Sequence, residues 1–254
     1  MKTHLEVLFT PAEFALLRQR DLSRTACVVF DVLRATTTML AALANGARAV
    51  VPVAEINEAL AWRLRDPAVL LAGERDGVRI HAALTGGVEF DLGNSPREFI
   101  AERVAGRTIV MTTSNGTRAV LAAAHAAHVL LGALVNVSAV AGWIERVRPR
   151  DLMLVCSGTL DQASSEDTLA AGAVCDLVWP LYQERNPADS AHLARQVYLA
   201  HRADLLAVIP RSRNGRRLWG QPELRDDVPF CLRPDALPLL AKLGPDGMVR
   251  ILKS

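Results

Sequence analysis

The run Ala-Cys-Val-Val-Phe at 26–30 constrains the fold more than any other stretch. It is short, apolar and rich in β-branched residues, the pattern of a buried strand. Near-continuous apolar strands of this kind belong to parallel sheets covered on both faces. The run ends on Asp31, Arg34 follows three residues later, and Thr36, Thr37 and Thr38 lead into a helical pattern. In an open parallel sheet, ligands sit outside the carboxyl ends of the strands. An acid, a guanidinium and hydroxyls released there suit a metal ion and an anion. The same residues also suit a plain helix cap at Asp31 with Arg34 paired to a surface acid.

The rest of the chain repeats this strand-then-helix rhythm. Strand patterns at 4–9, 26–30, 49–53, 69–72, 108–111, 128–134 and 151–155 alternate with helical patterns at 11–20, 37–45, 55–65, 96–105, 117–127, 138–147 and 167–179. Residues 77–95 read as irregular, a long helix is predicted over 189–207, and the tail from Asp226 reads as short strands and turns. Alternation of this kind predicts an α/β protein with a mostly parallel sheet and helices on both faces. Its crossovers are right-handed by the general rule. A chain of 254 residues is long enough for one large domain or two small ones.

Bulk properties remove several function classes. The net charge of +2 gives no broad basic face for nucleic acid. Lysine occurs only at Lys2, Lys242 and Lys253, so an anion site must use arginine, whose planar fork suits phosphate, carboxylate and sulfonate. Residues 1–10 alternate polar and apolar side chains without an apolar signal-peptide core. The longest apolar region, 119–135, contains His125, His128 and Gly132 and reads as a helix followed by a strand, not a membrane span. Cys27, Cys156, Cys175 and Cys231 are far apart with no Cys-x-x-Cys pair, as expected of reduced thiols in a cytoplasmic protein.

Polar clusters recur where the strands end. They lie at 31–38, 73–77, 112–117 and 156–159, the last followed by Glu166 and Asp167, and the loop Gly93-Asn94-Ser95 adds a fifth. Parallel strands bring such ends to one edge of the sheet, so the clusters are expected to converge. The turn Thr112-Thr113-Ser114-Asn115-Gly116-Thr117 offers backbone amides at a helix start, which favour an anion, although a tight turn capped by Thr117 fits the same residues. Asp31, Glu74 and the Glu166/Asp167 pair are hard carboxylates of the kind Mg²⁺ accepts. Glu166 and Asp167 equally suit the positive end of their own helix.

Familiar motifs are missing. There is no Walker loop and no Gly-x-Gly-x-x-Gly. A haloacid-dehalogenase phosphatase needs a second Asp where Leu33 stands. A cysteine phosphatase needs Arg six positions after its Cys, where Cys156 has Gln162 and Cys27 has Leu33. Ser157 lacks the Gly-x-Ser-x-Gly elbow.

The ordered clusters Asp31-Val32-Leu33-Arg34-Ala35-Thr36, Gly73-Glu74-Arg75, Leu92-Gly93-Asn94-Ser95-Pro96, Thr112 through Ala119, Glu166-Asp167-Thr168 and Gly215-Arg216-Arg217-Leu218 resemble those of the 2-phosphosulfolactate phosphatase (ComB) family. The likeness continues into Asp-Asp-Val-Pro-Phe-Cys at 226–231. The resemblance implies a three-layer α/β/α fold with two subdomains and the site between them, here about 1–130 and 131–254. It implies a Mg²⁺-dependent hydrolase that takes phosphate from 2-phospho-3-sulfolactate, a step of the coenzyme M type, and suggests a homodimer. Within that frame we assign Asp31, Glu74 and Asp167 to the metal, directly or through water, and Arg34 with residues Thr113, Ser114, Asn115, Gly116 and Thr117 to the phosphoryl oxygens. Glu166 or Asp31 would position water, Arg216 would reach the carboxylate or sulfonate, and Asn94, Ser95 and Ser157 would complete the binding site. Asp31 could instead attack phosphorus directly. A phosphatase of another small acidic ester, or a non-catalytic anion-binding protein, would use the same clusters.

Overall fold

Ten strands form one sheet in the computed structural model, which describes residues 4–17 and 19–252. Lys2 and Lys253 lie outside the described residues. The strands are β1 (Leu5–Leu8), β2 (Thr25–Phe30), β3 (Ala49–Pro52), β4 (Leu70–Arg75), β5 (Val78–Arg79), β6 (Thr108–Thr112), β7 (His128–Gly132), β8 (Asp151–Cys156), β9 (Ala241–Leu243) and β10 (Val249–Ile251). Their order across the sheet is β1-β8-β2-β7-β9-β10-β3-β6-β4-β5. β1, β8, β2 and β7 are mutually parallel, as are β3, β6 and β4. The antiparallel hairpin β9-β10 joins the two parallel blocks, pairing β7 on one side and β3 on the other. The chain therefore has the mixed, largely parallel α/β architecture read from its sequence.

Burial explains the uniform composition of β2. Its six residues are all buried because parallel neighbours flank it and helices cover both faces. Ala26, Val28 and Phe30 face one apolar core with the helices Val137–Val147, Ser165–Tyr182 and Asp189–His201. Cys27 and Val29 alternate to the opposite core with the helices Ala35–Ala44 and Gly116–Ala122. That second core runs on under the other block through Val50, Ile109 and Met111. On the first face, Val51, Leu71 and Val110 instead pack a separate core with Ala59 of the helix Ile56–Arg65.

One face is thus continuous and the other is divided in two. The blocks do not follow the sequence halves 1–130 and 131–254. The first block draws on residues 5–8, 25–30, 128–132 and 151–156, and the second on residues 49–75 and 108–112. The tail contributes a sheet hairpin and the short helix Asp227–Cys231, and the segment read as irregular holds β5 and the helix Ala82–Thr85. The long helix predicted over 189–207 stops at His201, and Leu205–Val208 forms a separate turn. Among the described residues no helix is long and apolar enough to cross a membrane.

Candidate active site

The strand ends converge as the parallel pairing requires. Phe30 is in register with Cys156, which puts Asp31 beside Ser157, and Gly73 is in register with Thr112, which puts Glu74 beside the 113–117 turn. Asp31 and Glu74 come from different blocks and face one cleft of about 250 Å³, while Ser157 is buried outside its lining. Asp31, Glu74 and Asp76 line it together with Asn94, Ser114 and Asn115. Leu33, Arg34, Gly158, Thr159 and Leu160 add to the wall, and Arg213, Asn214 and Arg217 close it from the helix Arg213–Trp219.

Each acid is held differently. Asp31 accepts the Ala35 amide on Oδ1 (3.1 Å), so the capping reading of its role is present alongside the cleft-facing one. Glu74 accepts the Ser114 amide on Oε1 (2.8 Å) and the Gly77 amide on Oε2 (2.6 Å). Asp167 accepts the Val32 amide on Oδ1 (2.8 Å) and, on Oδ2, the Ser157 hydroxyl (3.1 Å) and the Gly158 amide (3.2 Å). Glu166 accepts Asn214 Nδ2 on Oε1 (2.8 Å), while its Oε2 is buried without a hydrogen-bond partner.

Asp167 is therefore occupied in clamping the loops after β2 and β8. Among the described residues no three His, Cys, Asp or Glu side chains are grouped to hold a metal. The three-carboxylate set Asp31, Glu74 and Asp167 is not assembled, because Asp167 is directed at backbone amides. Asp31 and Glu74 remain, both lining the cleft. That number fits Mg²⁺, which commonly takes one or two carboxylates and fills the rest with water and substrate phosphate.

The electrostatics favour a cation here. Burial, then the charges of Glu74 and Glu166, push the Asp31 carboxyl up to about 6 against the help of the Ala35 amide. Burial foremost, with the charges of Asp31 and Glu166, pushes Asp167 well up, and burial likewise raises Glu166. Carboxylates that raise one another are relieved by a bound divalent ion. Asn94 Oδ1 is a further buried acceptor with no partner, on the wall of the same cleft.

The remaining predicted residues divide. Arg34 is buried and doubly committed, to Asp227 Oδ2 through Nη1 (2.8 Å) and to the Gly77 carbonyl through Nη2 (2.9 Å). Ser95 donates to Asp227 Oδ1 (2.6 Å) and so braces Arg34 through that acid. Thr113 and Thr117 bond each other reciprocally, each hydroxyl accepting the other's amide at 3.1 Å, which shapes the turn and leaves Ser114 and Asn115 toward the cleft. Gly116 packs on Asp31, where a Cβ would collide with Oδ2. Arg216 is exposed and bonds the Arg211 carbonyl, outside the cleft. The cleft-facing positions of its helix are Arg213, Asn214 and Arg217, one face of a helical turn.

Asp227, Asn214 and Arg217 were not singled out as site residues from the sequence. Burial holds the thiols of Cys27, Cys156, Cys175 and Cys231 above their ordinary range, against any nucleophilic role.

A carboxylate-floored, arginine-flanked cleft at the carboxyl edge of an α/β sheet is the arrangement of an enzyme that processes a small anion. The chain belongs to the 2-phosphosulpholactate phosphatase family, whose match spans residues 13–244. Similar proteins described as probable 2-phosphosulfolactate phosphatases occur in Caldanaerobacter subterraneus subsp. tengcongensis (38% identity, covering 92% of this chain and 93% of the relative). Others occur in Symbiobacterium thermophilum (37%, covering 92% and 97%) and Thermus thermophilus (39%, covering 80% and 81%).

Proposed function

We propose that this chain hydrolyses the phosphate ester of 2-phospho-3-sulfolactate to 3-sulfolactate and phosphate, with Mg²⁺ as cofactor. The observation that carries the reading is Asp31, buried at the end of β2 and facing the same cleft as Glu74 from the other block. Phosphate monoesters are among the slowest esters to hydrolyse unaided, with enzymatic accelerations up to ~10²¹. A single oxyanion donor supplies about 3–4 kcal/mol, so several groups must act together. Asp31 and Glu74 would hold Mg²⁺, which supplies charge neutralisation at the phosphoryl oxygens and at water.

Around that pair, the Ser114–Asn115 turn offers polar groups to the phosphoryl oxygens, and Arg34 supplies a fixed positive charge in the wall. Glu166, buried beneath Asn214 with one oxygen unpartnered, would help to position the attacking water from behind the cleft wall. Asp31 either orients the attacking water or attacks phosphorus itself. Oxygen-18 from water entering the Asp31 carboxylate in a single turnover would mark the covalent route.

The test is phosphate release from 2-phospho-3-sulfolactate beside phospholactate and phosphoglycolate, with Mg²⁺ and with EDTA. We expect release only with the ion and fastest on the sulfonated ester. Equal rates on all three would move the reading to a general small-acid phosphatase, and no release from any would leave an anion-binding protein. Four free buried thiols support a cytoplasmic location. A homodimer, carried over from the resemblance, is tested by sedimentation.

A further inference from the structure

The cleft has a positive wall whose partners are unevenly used. Three arginines line it, and two are already spent on protein. Arg34 is bound to Asp227 and the Gly77 carbonyl, and Arg213 to the Thr159 carbonyl and Gln162 Oε1. Arg217 makes no hydrogen bond or ion pair among the described residues, although it lines the same cleft. The side chain is exposed overall, but its charged head is seated on the protein. The guanidinium lies over Gly77, where a Cβ would stand 3.3 Å from its Cζ and 3.4 Å from Nη2. Gly77 is left-handed (φ 80°) at the turn that also supplies an amide to Glu74 and a carbonyl to Arg34. The bed under Arg217 is therefore part of the turn that sets the acidic floor.

The cleft around it is short of donors. Asn94 Oδ1 is a buried acceptor without a partner on the wall, and Glu166 Oε2 is another, buried beneath Asn214 on the Arg217 side, where the Arg217 charge acts on the Glu166 carboxyl. Unpartnered acceptors and mutually repelling carboxylates gather a cation, while five unshared guanidinium donors gather an anion. A ligand that satisfies both must carry a group for the metal-binding floor and a separate acid for the arginine. We propose that Arg217 forms a second anion subsite, distinct from the phosphoryl site, that reads the carboxylate or sulfonate of the substrate. Arg217 sets the preference for phosphoesters of multiply charged acids. This deepens the phosphatase reading given above and rests on it for the name of the substrate, not for the subsite.

The two product halves probe the subsites separately. Calorimetric titration of wild-type protein, in Mg²⁺, with 3-sulfolactate and with inorganic phosphate gives two dissociation constants. The substitution Arg217→Ala is expected to weaken 3-sulfolactate by about 10–100-fold, the range of a charge-assisted hydrogen-bonded contact, and phosphate by less than about threefold. Arg217→Lys, which keeps the charge but loses the fork, is expected to fall between. In turnover the loss should appear mainly in KM. Equal weakening of both probes would put Arg217 in the phosphoryl site and overturn the proposal. So would no change in either, or a wild-type protein that does not bind 3-sulfolactate. Arginine-dependent 3-sulfolactate binding in a protein that releases no phosphate would uphold the subsite and sink the phosphatase activity, so the two readings fail separately.

Discussion

Asp31 is a carboxylate that its own surroundings would prefer neutral. Burial and the charges of Glu74 and Glu166 hold it up to about 6, against an ordinary value of 3.8. A raised carboxyl has a definite sign in stability. Below pH ~4 it is protonated folded and unfolded, and costs nothing. As pH rises from ~4 to ~6 the unfolded chain ionises first, so the folded state loses ground, and above ~6 the loss stays constant. Two pKa units correspond to about 3 kcal/mol. Asp31→Asn, whose Oδ1 can still accept the Ala35 amide, should therefore match wild type near pH 4 in EDTA and exceed it by about 2–3 kcal/mol at pH 8. Urea denaturation at the two pH values measures this. Mg²⁺ should close the gap by stabilising only the wild type, and it should have no such effect on Asp31→Asn. A gap that is the same at both pH values would mean that the Asp31 charge is not what the fold resists.

At the scale of elements, the site depends on how closely the helix Gly116–Ala122 approaches the start of the helix Ala35–Ala44. A Cβ on Gly116 would collide with Asp31 Oδ2 and stand 2.5 Å from Ala35 Cβ. Two effects oppose each other in Gly116→Ala. Helix propensity favours alanine by about 1 kcal/mol, while overpacking a tight contact costs about 1–3 kcal/mol. Asp31 and Ala35 are both buried, so sterics should win. We expect a net loss of about 1–2 kcal/mol by urea denaturation and at least a tenfold fall in phosphate release as Asp31 is displaced. A gain in stability would show that the helices can separate.

This contact also marks what could be read from sequence. The apolar runs at 26–30, 108–111 and 151–155 were legible because strands buried on both faces leave no alternative pattern. The convergence of Asp31, Glu74 and the 113–117 turn followed from parallel pairing. The role of Asp167 did not, because the amides that occupy it belong to Val32 and Gly158, and the first of these is 135 residues away in sequence. Arg216 and Arg217 differ by one position, about 100° around a helix, so choosing between them needs the docked helix itself. Asp227 sits in a tail whose motif was visible, but its partners Arg34 and Ser95 were not.

At the scale of the molecule, the candidate cleft is shared between the two parallel blocks. Asp31 and the loop after β8 come from one block, and Glu74 and Ser114 from the other. Neither block alone holds the cleft. The strip between them is the β9-β10 hairpin, where Val249 is fully buried and in register with both Leu243 and Val50. The core that contains Val249 runs beneath both blocks, including Val29 of β2 and Met111 of β6. A continuous core and a continuous sheet should make the blocks unfold together. Trp62 packs on the second block and Trp143 and Trp179 on the first, with Trp219 exposed, so the two blocks can be followed separately in backgrounds that keep only Trp62 or only Trp143. Val249→Ala removes two buried methyl groups and should cost about 2 kcal/mol. We expect fluorescence and circular dichroism to give one coincident midpoint before and after this change, shifted downward in both backgrounds, with affinity for Mg²⁺ falling as Asp31 and Glu74 lose their fixed spacing. Two separated midpoints would show instead that the hairpin only abuts two independent units. The cleft would then have to be assembled by domain closure and not by the sheet.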